Sequence, residues 1–156
     1  MEIKTSKKYL RAFDEQNSLY EAYARQNGLV GKSLYILIWL YYTKGGITQK
    51  RIVEKTHSSK QVVFATIKGW RAKGYISTCE NPKDRRNKLL TLSPDGQAFA
   101  AKILDPLERI EVQALASLSE SEREILIDLT KRYTQELKKM MQVGENKVDD
   151  WITSYW

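Results

Sequence analysis

Hydrophobic positions along this chain change period several times, and each change predicts an element. From about Thr5 to Asn27, Tyr9, Leu10, Phe13, Leu19, Tyr20 and Tyr23 recur at irregular helical spacing, which predicts a long helix covered on more than one face. Gly28 ends it, and Ser33 is the expected cap of the segment Leu34 to Tyr42, which is apolar nearly all round. Its composition also suits a strand. A strand of that length without flanking turn residues is less consistent than a helix buried on most sides.

Beyond Gly45-Gly46 the elements shorten. Thr48 is the expected cap of a helix to about Lys55, with Ile52 and Val53 turned inward. His57-Ser58-Ser59 makes a turn, and either serine suits the cap of the next helix, about Lys60 to Lys73. There Val63, Ile67 and Trp70 fall at i, i+4 and i+7, one apolar stripe, with Lys60, Gln61, Phe64, Ala65 and Lys68 on the other side. Gly74 ends that helix. Tyr75 to Cys79 alternates as a strand, Lys88 to Leu92 returns as its partner, and Asn81 to Asn87 forms a charged loop between them.

Ser93-Pro94 opens a helix toward Ser117 that Pro106 is expected to kink or interrupt. Ser119 and Glu122 form a capping box for a last helix to about Val143, carrying Ile125, Leu126, Leu129, Tyr133, Leu137, Met140 and Met141. The tail, 144–156, ends in Trp151, Tyr155 and Trp156, rings whose size favours packing over exposure. The chain is thus mainly α with a small β-wing.

Composition narrows the class. The 156 residues, 42 % hydrophobic and 29 % charged, suit one globular domain. No apolar run approaches the roughly 20 residues that span a bilayer, and the first residues lack the apolar core of a signal peptide. With a single cysteine, these features lead us to expect a cytoplasmic protein and no membrane partner.

Charge changes the picture more. The net charge is +7, but between Lys44 and Leu92 twelve Lys and Arg face three acids, so the positive excess lies in that third of the chain. Solvated helix faces alone produce basic stretches. Here the block coincides with two short helices, a tight turn and a looped strand pair, an order suited to putting one helix into a DNA groove and a loop beside it.

The residues from Asp84 to Gly96 (Asp-Arg-Arg-Asn-Lys-Leu-Leu-Thr-Leu-Ser-Pro-Asp-Gly) resemble the wing signature of the MarR family of winged-helix regulators. The Ile47-Thr48-Gln49, Ser58-Ser59-Lys60-Gln61 and Lys73-Gly74-Tyr75-Ile76 segments match in order and spacing, and the resemblance runs from about residue 30 to 143. It implies a winged helix-turn-helix DNA-binding lobe, 31–93, and a helical dimerisation region, 1–30 and 94–143, beside the aromatic tail, 144–156. It also implies a homodimer on a pseudo-palindromic double-stranded operator, acting as a ligand-responsive repressor. An alternative on the same fold is a nonspecific nucleic-acid-binding or protein-interaction module.

The expected DNA-binding residues are Ser58, Ser59, Lys60, Gln61, Phe64, Ala65 and Lys68 on the helix, and Lys83, Asp84, Arg85, Arg86 and Lys88 on the wing. Gln61 suits an adenine edge, and Lys60 a guanine or a phosphate. Lys68 is expected at the backbone, as are Lys83, Arg85 and Lys88. Arg86, carried over from the family wing, suits a narrow minor groove, with Asp84 bracing its guanidinium by an ion pair. Phe64 has two readings, contact with a thymine methyl or inward packing; the family often has a small hydroxyl residue and an arginine at positions 64 and 65.

Tyr20, Tyr35, Trp39, Tyr42 and Trp70, with Tyr23, are either core or the lining of a cleft for a small aromatic or phenolic effector, as the family implies. Cys79 reads as an inert thiol rather than a redox switch. One His and one Cys supply no zinc ligand set. No phosphate loop or nucleophile–base pairing points to an enzyme, and no cofactor is expected.

Overall fold

The computed structural model describes residues 3–141. The elements are α1 (Ile3–Gln26), α2 (Ser33–Tyr42), β1 (Ile47–Thr48), α3 (Gln49–Thr56), α4 (Lys60–Ala72), β2 (Ile76–Cys79), β3 (Leu89–Leu92), α5 (Pro94–Ala116) and α6 (Glu120–Met140). The chain divides into two compact units at Ala100 and Ala101. The tail is outside the described residues.

In the first unit the core forms where the apolar run of α2 meets the stripes of α3 and α4. Leu34, Ile36, Leu37, Ile52 and Val63 are all but inaccessible to solvent. The segment 34–42 is therefore a helix, and its lack of a polar stripe follows from being enclosed on most sides. Ser33 does not cap it. The capping position falls on Lys32, which makes no side-chain cap bond, and Ser33 is itself the first helical residue.

The helix-turn-helix is set by its turn. Thr48 Oγ1 accepts from the Arg51 N–H at 3.1 Å and opens α3. His57 closes α3 in the left-handed region at φ 52°, a conformation histidine adopts more readily than most side chains. Ser59, not Ser58, caps α4 by accepting from the Val62 N–H at 3.2 Å.

The wing contains a strand, just ahead of α3, that periodicity does not predict. Ile47 and Thr48 pair antiparallel with Leu90 and Leu89, and β3 pairs on its other side with β2. The result is a three-stranded sheet in the order β1-β3-β2. Two residues are too short for an alternating pattern to register. Gly46 makes this close approach possible: at φ 97°, a Cβ there would stand 3.0 Å from Thr91 Cγ2 and 3.1 Å from Leu89 Cβ.

The base of the wing is tied to the end of α4. Ser93 donates its N–H to the Tyr75 carbonyl at 2.9 Å, and its hydroxyl donates to the Gly74 carbonyl and accepts from the Gly96 N–H. Gly96 is required here, because a Cβ would lie 2.1 Å from the Tyr75 carbonyl oxygen. The Tyr75 ring stacks on Phe99 at 4.6 Å, and Phe99 meets Trp70 edge-on at 6.1 Å.

In the second unit, α5 continues through Pro106 without interruption. The imino nitrogen has no N–H to give the preceding turn, but the remaining bonds hold the helix. Ser119 and Glu122 form the expected capping box, with both reciprocal bonds present. None of the residues of α6 is buried.

Candidate nucleic-acid interface

A helix that reads a groove needs a fixed back and a bare front. The back of α4 is Val63, Ile67 and Trp70, each at most 6 % exposed. The front is Lys60, Gln61, Phe64, Ala65 and Lys68, all exposed. Phe64 is 57 % exposed, so inward packing is not its role in this structure. Ser59 has its hydroxyl at the cap. Ser58 behaves differently from expectation: it is buried, and its Oγ has no hydrogen-bond partner. That hydroxyl does not face a ligand outside.

Wing geometry comes from two successive side-chain turns. Asn81 Oδ1 accepts from the Lys83 N–H at 3.1 Å, and the Asn81 carbonyl accepts from the Asp84 N–H at 3.2 Å. The same pair of bonds then repeats three residues on. Asp84 Oδ1 accepts from the Arg86 N–H at 3.0 Å, and its carbonyl accepts from the Asn87 N–H at 3.2 Å. Asn and Asp suit such turns because their short side chains reach the backbone two residues ahead. Lys83, Arg85 and Arg86 occupy turn interiors and, with Lys88, are exposed.

Asp84 braces Arg86 in a way different from the expected ion pair. Its carboxylate holds the Arg86 backbone N–H, and its second oxygen accepts from Asn87 Nδ2 at 2.7 Å. The Asn87 side chain, with the Arg86 N–H second, holds the Asp84 carboxyl below its ordinary value, and the charge of Lys50 adds to this. Arg86 is exposed, and among the described residues its guanidinium forms no ion pair with Asp84. Asn81 and Asn87 join the site through these bonds, and Asn and Asp spaced three apart in a charged loop are the signal of nested turns.

Asn81, Asp84 and Asn87 also wall a polar cleft of about 260 Å³ with Thr48, Lys50, Arg51 and Glu54 of β1 and α3. Arg51 pairs with Glu54 there at 3.4 Å. One member of the basic block is not at the surface: Lys55 is 4 % exposed and its Nζ lies 5.1 Å from the Trp39 ring centre.

The aromatic candidates differ in burial. Trp39 and Trp70 are buried, Tyr20 and Tyr35 are half-buried, and Tyr42 is 46 % exposed with its ring edge-on to Tyr41 at 5.0 Å. Burial, then the charge of Glu21, raises the Tyr35 hydroxyl above its ordinary value. Cys79 is an exposed free thiol. Among the described residues no helix is long and apolar enough to cross a membrane.

The buried back and bare front of α4, followed by the three-stranded wing, define a winged helix-turn-helix protein. Residues 27–87 match the model of the MarR family. The regulator NMB1585 of Neisseria meningitidis, a MarR family member, superposes with a TM-score of 0.74 at 24 % identity, covering 87 % of this chain and 95 % of that one. MepR of S. aureus in its DNA complex superposes at 0.65 with 20 % identity, over 86 % and 99 %. At these identities both are likenesses of fold. YdgJ of Bacillus subtilis, an uncharacterized HTH-type transcriptional regulator, is 28 % identical over 103 residues, 66 % of this chain and 63 % of YdgJ, just under two thirds of its length. The likeness to the MarR family thus lies in the segment 27–87, under half of the chain.

Proposed function

We propose that this chain is a sequence-specific transcriptional regulator of double-stranded DNA, acting as a homodimeric repressor on a pseudo-palindromic operator and released by a small aromatic or phenolic ligand. The carrying observation is the pairing in one unit of a capped helix, its apolar stripe buried and polar arc bare, with a turn-locked tip bearing four exposed cations. Lys60 and Gln61 meet base edges, Phe64 meets a thymine methyl, and Lys68 meets a phosphate. Arg86 enters the minor groove, and Lys83, Arg85 and Lys88 line the phosphates beside it. Likeness of fold to MepR, solved as a DNA complex, supports this reading.

The dimer reading rests on α1, α5 and α6, assigned with 1–30 and 94–143 to a helical dimerisation region beside the lobe 31–93. Ile125, Leu126, Leu129 and Tyr133 make an exposed stripe on α6, and Leu10 and Phe13 are exposed on α1. A second copy of the chain would remove these from water. Half-buried Tyr20 and Tyr35 support ligand binding better than Trp39 and Trp70, which are committed to the core.

The test is an anisotropy titration of the duplex upstream of the protein's own gene against scrambled duplex of equal length. The upstream duplex is expected to bind at least tenfold tighter, a modest ratio for specific recognition, which typically reaches about 10³ or more. Equal affinities with a steep salt dependence would instead support the nonspecific module.

A further inference from the structure

The exposed arc of α4 does not stop at Lys68. Phe64, Lys68 and Arg71 fall at i, i+4 and i+7, so Arg71 extends the same row by one more turn. Arg71 is exposed and forms no ion pair with an acid among the described residues; its bond is from Nη2 to Thr78 Oγ1 at 3.4 Å.

Thr78 is well placed for this. On β2 it lies two residues beyond the buried Ile76, so both side chains stand on the same side of the sheet. Ile76 ends the core, and Thr78 continues past it as the strand leaves for the wing tip. Arg71 therefore sits at the joint where the last turn of α4 faces the base of the wing. Thr78 satisfies one guanidinium donor, leaving the others of the fork available in a fixed direction.

Such a joint has a definite counterpart on a duplex. When the α4 front occupies a major groove and the Arg86 tip occupies the adjacent minor groove, one phosphodiester strand runs between them. We propose that Arg71 is a phosphate-binding residue for that intervening strand, and that Thr78 is a positioning residue that aims its guanidinium. This rests on the DNA-binding reading above and adds to it a contact that joins helix and wing readout. Two otherwise independent contacts thereby gain a common register along the backbone, because phosphate contacts fix orientation rather than sequence.

Titrations of the upstream duplex between roughly 50 and 200 mM salt, with wild type, Arg71→Ala, Arg71→Lys and Thr78→Val, test it. Arg71→Ala is expected to bind several-fold more weakly to upstream and scrambled duplex alike. Its salt slope falls by about one unit, so over that range it loses about fourfold less affinity than wild type. Arg71→Lys keeps the slope and binds slightly more weakly, having the charge without the fork. Thr78→Val also keeps the slope and weakens binding. If Arg71→Ala retains wild-type affinity and slope on a duplex that Arg86→Ala releases, the Arg71 contact is overturned while the regulator reading stands. If Arg71→Ala and Thr78→Val weaken binding equally without any slope change, Arg71 is only a staple between helix and strand. Thr78→Val indistinguishable from wild type removes the positioning role. Failure of wild type to bind either duplex overturns both readings.

Discussion

Helices α4 and α6 are both capped by a serine and both carry an apolar stripe, yet they end in opposite conditions. On α4, Val63, Ile67 and Trp70 are buried within the unit that contains them. On α6, Ile125, Leu126 and Leu129 are about half exposed, and none of its residues is buried. The same periodicity thus serves two purposes. In α4 it fixes a helix so that its other face is free to meet a ligand. In α6 it leaves a face whose burial needs a surface that the described residues of one copy do not supply, which is the physical ground for proposing a second copy.

That contrast is open to experiment, and the largest effect is expected in the lobe. Ile67→Ala removes a side chain that is 2 % exposed and leaves a cavity, so denaturant unfolding is expected to show a loss of about 2–5 kcal/mol. Loss of that size independent of protein concentration places Ile67 inside one copy; a strongly concentration-dependent loss would undo the distinction drawn here.

Placing charge on the other stripe, Leu126→Asp with Leu129→Asp, is expected to halve the mass seen by light scattering while leaving helix content near that of wild type. The DNA affinity of such a monomer falls, since it engages one half-site instead of two. An unchanged mass would remove α6 from the proposed dimer interface.

A smaller effect is expected from Ser119→Ala, which deletes the hydroxyl acceptor for the Glu122 N–H, its half of the capping box. The cost is about 1 kcal/mol in thermal or denaturant melts. Ser59→Ala, which removes the matching cap of α4, should cost a similar amount and in addition loosen DNA binding, giving the two helices a direct comparison.

The smallest effect is that of pH on the wing. Asp84 is fully ionised well above its ordinary value near 3.8, and its folded value is lower still because Asn87 and the Arg86 N–H bind the charged form. A depressed carboxyl stabilises the folded wing above the unfolded value, and that contribution is lost as pH falls through the folded value. Carbon-detected NMR titration of Asp84 should therefore give a midpoint below 3.8 that Asn87→Ala moves upward. A midpoint unaffected by Asn87→Ala would mean that the short side-chain bond does not persist in solution.

Much of the lobe was readable from residue order. The stripe Val63-Ile67-Trp70, the caps at Thr48 and Ser119, the Ser93-Pro94 helix start and the strand pair around 76–92 follow from periods and capping chemistry that act over a few residues. The charge concentration between Lys44 and Leu92 was equally a matter of sequence. Local chemistry also left Ser58 and Ser59 as equal cap candidates, and the structure separates them: Ser59 bonds the helix while the Ser58 hydroxyl is buried.

Long-range placement was decided only by the tertiary structure. β1 exists because Gly46 lets Ile47 and Thr48 approach Leu90 and Leu89, some forty residues away in sequence. Lys55, one more cation when counted along the chain, is withdrawn beneath Trp39, and Phe64 is turned outward. The route by which Asp84 steadies the wing, through the Arg86 backbone and Asn87 rather than the guanidinium, depends on where a seven-residue loop folds back on itself. Sequence by itself determined which faces are apolar and where cations gather, because both are properties of neighbouring residues. Which of those faces finds a partner, and which cation stays in water, depends on contacts between segments far apart in the chain.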